Sequence, residues 1–252
     1  MACLGSSSTA GKGQAFNWIA ELERRPGNRR FRFRNFGVGG DLAYNALQRV
    51  GEVIAVHPAK VVVLIGANDV LALVSSGARR FYRIAKHLPA DPSPEWFREN
   101  LRKIARQLKS ETSADIALCS LAPIGEDLSD SDPFQGQLNR GIEEFSAIIR
   151  EIGEEVGAAY VPFYEVMVRD ISEAPVHAFK GQFLAIYRDA FRSLILRKTP
   201  DEIGAMNGWQ YHSDGVHLNS RGGMIVADLV QQFIETVRDV DHLGAPDGAP
   251  PH

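Results

Sequence analysis

The sequence predicts an α/β domain built on a parallel sheet. Two observations carry that expectation: five short apolar runs alternate with amphipathic helical patterns, and no repeat or linker interrupts the series before residue 241. The composition agrees. The 252 residues are 44% hydrophobic and 23% charged, and 28 Lys+Arg against 31 Asp+Glu leave a formal charge of −3, an ordinary globular balance. It lacks the basic surplus that a nucleic-acid partner requires. The longest apolar runs, such as 61–65 and 116–119, fall far short of the roughly 20 residues that span a bilayer, so no transmembrane segment is expected. The first residues lack the charged start and apolar core of a signal peptide, which gives a cytoplasmic expectation. Cys3 and Cys119 are too few for a disulfide framework and are not spaced as metal ligands. They read as small buried apolar residues.

In chain order, residues 1–4 form a short first strand ended by Gly5, and a Ser/Thr/Gly turn leads into a helix on which Ala15, Trp18, Ile19 and Leu22 recur at helical spacing. Pro26-Gly27-Asn28 stops it. Residues 31–35 alternate Phe and Arg, the pattern of an edge strand with its phenylalanines inward. The six arginines between Arg24 and Arg34 then read as a solvated edge. Asp41 is expected to cap a helix carrying Leu47, Val50 and Ile54 on one side and closing before Pro58. Residues 61–65 read as a strand buried on both faces. Ser93-Pro94-Glu95 has the chemistry of a helix start, with Phe97, Leu101, Ile104 and Leu108 on one face. A strand over 116–121, a long amphipathic helix from Leu138 to Val156, and a last strand Ala159-Tyr160-Val161 follow. Segments 178–198 and 220–237 read as helical, and 241–252, rich in Gly and Pro, as a disordered tail. The expected organisation is one domain over 1–240, with long insertions at about 70–93 and 162–212 where α/β proteins shape a substrate pocket.

The polar, glycine-rich turns that leave the strand ends point to acyl transfer. A hydroxyl nucleophile needs an imidazole to take its proton, and the imidazole needs a carboxylate to fix its tautomer. Asp214 and His217 supply those groups three residues apart. An oxyanion needs preorganised donors; the backbone N–H groups of Ser7 and Gly40 and the side-chain amide of Asn68 can supply them.

These residues resemble the SGNH hydrolases, also called GDSL esterases and lipases, in which four blocks contribute a Ser, a Gly, an Asn and a His. The first block matches over residues 4–11, with Ser7 as the nucleophile. Ser6 stands where the family usually has aspartate and is the reserve hydroxyl. The second block matches over 35–41 with Gly40 at the oxyanion glycine; Gly66-Ala67-Asn68-Asp69 is a full match to Gly-x-Asn-Asp, and Asp214-Gly215-Val216-His217 fits Asp-x-x-His. The resemblance runs from residue 3 to about 237. It implies a three-layer αβα sandwich with a five-stranded parallel sheet in flavodoxin-like order 2-1-3-4-5. It also implies a serine esterase that works through an acyl-enzyme, with His217 as base, Asp214 orienting it, and Ser7, Gly40 and Asn68 holding the oxyanion. Its activity is expected to rise as His217 loses a proton near about 6.5. The substrate is a small-molecule, lipid or carbohydrate ester: a short-chain acyl ester, an acetylated carbohydrate and a lysophospholipid all fit.

Rival readings have less support. Residues 5–13 approach a phosphate-binding loop, but one residue too many separates the glycines and Gly13 stands where the magnesium-binding hydroxyl belongs. A nucleophile elbow Gly-x-Ser-x-Gly is absent around every serine. A catalytically silent α/β binding module is the remaining alternative, opposed by the joint presence of Ser7, Asp214 and His217. No His/Cys/Asp/Glu cluster has zinc spacing, so neither a metal nor another cofactor is expected. His57, His87, His177, His212, His242 and His252 read as surface or structural, with Trp209, Tyr211 and His212 as candidate pocket lining. Phe163, Tyr164, Phe179, Phe183 and Tyr187 are candidates either to cover the site or to pack a core or dimer surface. No sequence feature sets an oligomeric state.

Overall fold

A computed structural model describes residues 1–13, 15–172, 177–179, 193 and 195–236. Its five strands are β1 (Ala2–Gly5), β2 (Arg34–Gly37), β3 (Lys60–Leu64), β4 (Asp115–Cys119) and β5 (Ala159–Val161). All pair in parallel, in the order β2-β1-β3-β4-β5. The helices are α1 (Ser7–Ala10), α2 (Trp18–Arg24), α3 (Ala43–Gln48), α4 (Val50–Ile54), α5 (Ala67–Val74), α6 (Ser76–Ala85), α7 (Pro94–Glu111), α8 (Pro133–Val156), α9 (Phe163–Ser172), α10 (Pro200–Asn207) and α11 (Ser220–Glu235). Among the described residues, no helix is long and apolar enough to cross a membrane.

Strand alternation explains why both sheet faces are covered. Side chains on successive residues point to opposite faces, so Leu4, Val61, Val63, Ile116 and Leu118 enter the core shared with α3 to α8. Their neighbours Cys3, Val62, Leu64, Ala117 and Cys119 enter the core shared with α2, α9 and α11. Both cysteines are free and buried there, as the sequence suggested. Burial pushes both thiols up, that of Cys3 to about 12, which leaves no reactive thiolate.

Three elements differ from the sequence reading. The edge strand begins at Arg34 rather than Phe31, because the neighbouring strand offers ladder partners only from Ala2, which pairs with Arg34. Phe33 still turns inward and Phe31 packs partly against the same core. The helix expected after Asp41 is two, α3 and α4, divided at Arg49. Asp41 does not cap it, since its carboxylate is bound by Arg49 at 2.7 Å and by Lys86 at 2.9 Å. The first α3 amide, that of Ala43, goes instead to Asp69, and the Leu42 amide just before it to Asn45. The segment 70–93 is largely helical, with Ser75 accepting from the Ala78 amide to start α6. Most of the helix expected over 178–198, and the tail 241–252, lie outside the described residues.

The strand order makes the chain leave β1 for one edge and return to β3 on the other side. Loops after β1 and β3 therefore diverge and open a crevice at the carboxyl ends. Parallel register brings Gly5 level with Gly37 and with Leu64 there. A Cβ at Gly37 would lie 2.2 Å from the Ala10 amide nitrogen, so α1 reaches its place only over glycine. Gly37→Ala is expected to lower stability by about 1–3 kcal/mol through overpacking, read as a lower urea midpoint; an unchanged midpoint would show that α1 does not press on β2.

Candidate active site

A cavity of about 570 Å³ opens at this crevice, bordered by Ser7, Gly40, Asn68 and His217, by Lys12 and Lys86, and by Leu71, Ala78, Phe81 and Tyr82 of α5 and α6. A second cavity, of about 480 Å³, borders Lys60 and Asp115 at the amino ends of the strands, where those two charges pair with each other.

Ser7 opens α1 directly after β1 and borders the cavity, whereas Ser6 is buried and does not. The first N–H groups of a helix have no intrahelical acceptor, so the Ser7 amide sits where an anion can take it. Gly40 has a left-handed φ of +76°, and a Cβ there would lie 2.8 Å from Lys86 Cε. Lys86 in turn donates to the Gly39 carbonyl at 2.5 Å, which fixes the turn beside Ser7.

Asn68 lies in the first turn of α5 and is buried. Its Nδ2 donates to the Asp41 carbonyl at 2.8 Å, and its Oδ1 accepts from the Tyr82 hydroxyl at 2.8 Å. Because a carbonyl only accepts, the first contact fixes which way the amide faces and leaves one N–H proton over. Asp69, next along, accepts from the Ala43 amide at 3.1 Å. Burial pushes its carboxyl up to about 8, against the pull of the backbone N–H groups, so it holds its proton at neutral pH.

Asp214 and His217 are joined by a turn of the Asx kind. Asp214 Oδ1 accepts from the Val216 amide at 3.0 Å and the His217 amide at 2.8 Å, which folds the chain back and sets Oδ2 at 2.7 Å from His217 Nδ1. Gly215, with φ +88°, makes the turn possible, since a Cβ there would lie 2.7 Å from the Trp209 ring. In the neutral imidazole this contact puts the proton on Nδ1 and leaves Nε2 as the basic nitrogen. Burial would raise the Asp214 carboxyl, but His217 and the two amides hold it below the usual carboxylate range. Burial would lower His217, but the Asp214 charge and hydrogen bond outweigh it and hold the imidazole above its ordinary value. This corrects the titration near 6.5 that the sequence suggested.

The segment carrying this pair rests on a second buried pair. Glu126, in the loop after β4, accepts from the amides of Gln210, Tyr211 and His212, and its Oε1 lies 2.9 Å from His212 Nδ1. The other ring nitrogen, Nε2, faces the Pro123 carbonyl at 3.0 Å. Both side chains are fully buried. Burial would raise the Glu126 carboxyl, but His212 and the backbone donors hold it below its ordinary value. His212 is thus structural, and neither it nor Trp209 and Tyr211 lines the cavity. Phe163 is buried in the α9 core, and neither Tyr164 nor Phe179 borders the cavity; Phe183 and Tyr187 lie outside the described residues.

The family model for GDSL-like lipases/acylhydrolases matches residues 3–223. The chain belongs to that family. Membership in the GDSL-like lipase/acylhydrolase family supports an ester hydrolase. No curated protein matches the sequence. Among solved structures, a catalytic mutant of an acetylxylan esterase from Geobacillus stearothermophilus is similar with a TM-score of 0.64 and 16% identity, covering 94% of each chain. An acetyl xylan esterase has a TM-score of 0.59 at 18% identity over 92% of this chain and 98% of its own. An α/β hydrolase from the metagenome of Lake Arreo has 0.60 at 17% over 92% of each. At these identities the likeness is one of fold.

Sequence reasoning missed Tyr82 and Lys86, which reach the site from α6, and Glu126, which supports it from below. Among the described residues, no group of three His, Cys, Asp or Glu side chains could hold a metal ion. Glu126→Ala leaves His212 buried beside three unanswered amides and is expected to cost about 3–5 kcal/mol. Denaturant unfolding at pH 7 checks this; a loss below about 1 kcal/mol would mean that the pair does not hold the segment.

Proposed function

We propose that the protein is a serine esterase that hydrolyses a carboxylic ester through an acyl-enzyme. The observation that carries this reading is the convergence of Ser7, Gly40, Asn68 and His217 on one cavity, with Asp214 bound to His217 Nδ1. In this reading, His217 Nε2 takes the hydroxyl proton as Ser7 Oγ attacks the carbonyl carbon. The Ser7 and Gly40 amides and the free Asn68 N–H receive the resulting oxyanion. The tetrahedral intermediate collapses, and the proton passes from Nε2 to the departing alkoxide. Water, deprotonated by the same nitrogen, then attacks the acyl carbon and releases the acid and Ser7. Family membership supports the reading. So does the Geobacillus stearothermophilus esterase, whose catalytic mutants replace a serine, an aspartate and a histidine, the last two separated as Asp214 and His217 are.

Hydrolysis of p-nitrophenyl esters by the parent, Ser7→Ala and Ser6→Ala proteins tests the assignment. Ser7→Ala is expected to lower kcat by at least about 10³-fold, while Ser6→Ala keeps turnover and a fluorophosphonate labels the parent at Ser7. A parent inert to both esters and fluorophosphonate would be a binding module instead.

The pH profile tests the base. Because Asp214 holds His217 above its ordinary value, the acidic limb of kcat/KM is expected above about pH 6.5. Asp214→Asn removes the raising charge and leaves burial to act, so the limb moves down while kcat falls by on the order of 10⁴-fold. A limb unmoved in Asp214→Asn would exclude His217 as the base.

A further inference from the structure

We infer that the acyl part of the ester is an apolar chain longer than acetyl, seated between α5 and α6 against Leu71, Ala78, Phe81 and Tyr82. The inference rests on the esterase reading and names the substrate class of that site. Three observations lead to it.

The first is the course of the wall. Asn68 and Leu71 lie three residues apart on one face of α5, and Ala78, Phe81 and Tyr82 share one face of α6 by the same spacing. Leu71 and Ala78, both buried members of the core, thus border the cavity together with Asn68 and with Phe81, which is half exposed. The Phe81 ring stands edge-on to Tyr82 with centroids 5.4 Å apart.

The second is that, among the described residues, the polar side chains of that wall are already engaged, while Lys12 borders the cavity from the end of α1. The Tyr82 hydroxyl donates to Asn68, and the Lys86 ammonium is bound by the Gly39 carbonyl and the Asp41 carboxylate. Sugar hydroxyls pressed here would give up water for no equivalent partner, whereas methylenes lose nothing and leave water. The cavity, at about 570 Å³, also far exceeds an acetyl group, given that a water-sized group takes about 30 Å³.

The third is the direction of the reaction. The leaving oxygen must come within reach of His217, so the alcohol belongs beside Val216 and His217, and the acyl chain takes the opposite wall.

Gly77 gives the test. It borders the cavity at the start of α6, and a Cβ built there has only Ser75 Oγ within 4 Å, at 3.8 Å, so the backbone accepts a side chain there and a larger residue is expected to extend into the cavity. The experiment measures kcat/KM on p-nitrophenyl acetate, butyrate, hexanoate, octanoate and decanoate for the parent, Gly77→Leu and Phe81→Ala. In the parent, kcat/KM is expected to climb beyond acetate by up to about fourfold per methylene until the cavity is full. Gly77→Leu lowers the octanoate-to-acetate ratio at least tenfold, and Phe81→Ala lowers it several-fold. A parent that prefers acetate, or a ratio unmoved in both variants, overturns the inference while leaving the esterase reading intact. If the parent hydrolyses no ester, the esterase reading is what fails, and equilibrium dialysis of decanoate decides the pocket. Saturable binding weakened in Gly77→Leu supports it, and no binding overturns it.

Discussion

The close contact between α1 and the ends of β1 and β2 is the constraint on which the rest of the structure depends. Four residues are too few for a helix to form alone in water. Here α1 is held by its surroundings. A Cβ at Gly5 would meet Thr9 Oγ1 at 2.2 Å, and one at Gly37 the Ala10 amide nitrogen at 2.2 Å, so the helix lies against β1 and β2 at a distance only glycine allows. Trp18 donates its indole N–H to the Ser8 carbonyl at 3.0 Å, and Asn35 its amide to the Thr9 carbonyl at 2.9 Å. These bonds occupy carbonyls that a short helix leaves unpaired. Ser7 inherits its position from that packing.

The other site loops are fastened to this one and to each other by hydrogen bonds that cross between strands. Val38 N–H reaches the Gly5 carbonyl, Asn68 the Asp41 carbonyl, and Gly125 N–H the Gly215 carbonyl at 2.7 Å. Buried charge is divided unequally among them. Asp41 has two cationic partners, and Glu126 and Asp214 each have a histidine and backbone amides. Asp69 has backbone amides and, among the described residues, no cation, and it alone among these carboxyls is pushed up to about 8. A carboxyl kept neutral beside Asn68 adds no negative charge where an oxyanion would form, and that spares the site a repulsion.

The sheet was legible because each strand is a short apolar run between turn residues, and parallel strands buried on both faces leave that trace. The four polar turns were legible because each has a side chain or a glycine that its geometry requires: Gly5, where a Cβ would meet Thr9 Oγ1 at 2.2 Å, Gly40 at φ +76°, Gly66 at +135°, and Asp214 closing the turn to His217. What was not legible depends on contacts distant in sequence. Asp41 has the residue type of a cap, yet Arg49 and Lys86 take its carboxylate. Glu126 stands in an unremarkable loop and meets its partners 84 to 86 residues away. Residues 199–202 did carry a readable signal, since Thr-Pro-Asp-Glu forms the reciprocal capping pair that starts α10.

The same distinction explains why the family could be read and the substrate could not. The groups proposed for the chemistry sit on turns at strand ends, where backbone geometry leaves few residue types that work. The wall that would meet the substrate comes from α5 and α6, whose apolar residues satisfy an ordinary helical pattern whether they face a core or a cavity. Leu71 and Phe81 differ in sequence from core residues in no way. Only the turn between α5 and α6, with Ser75 accepting the Ala78 amide, aims them at the space beside Asn68. Tyr82 joins the two roles, because its ring lies in that wall while its hydroxyl holds the Asn68 amide. A change in the wall that moved Tyr82 would reach the proposed oxyanion donor Asn68 as well, and in that reading selectivity and rate are coupled through one hydrogen bond.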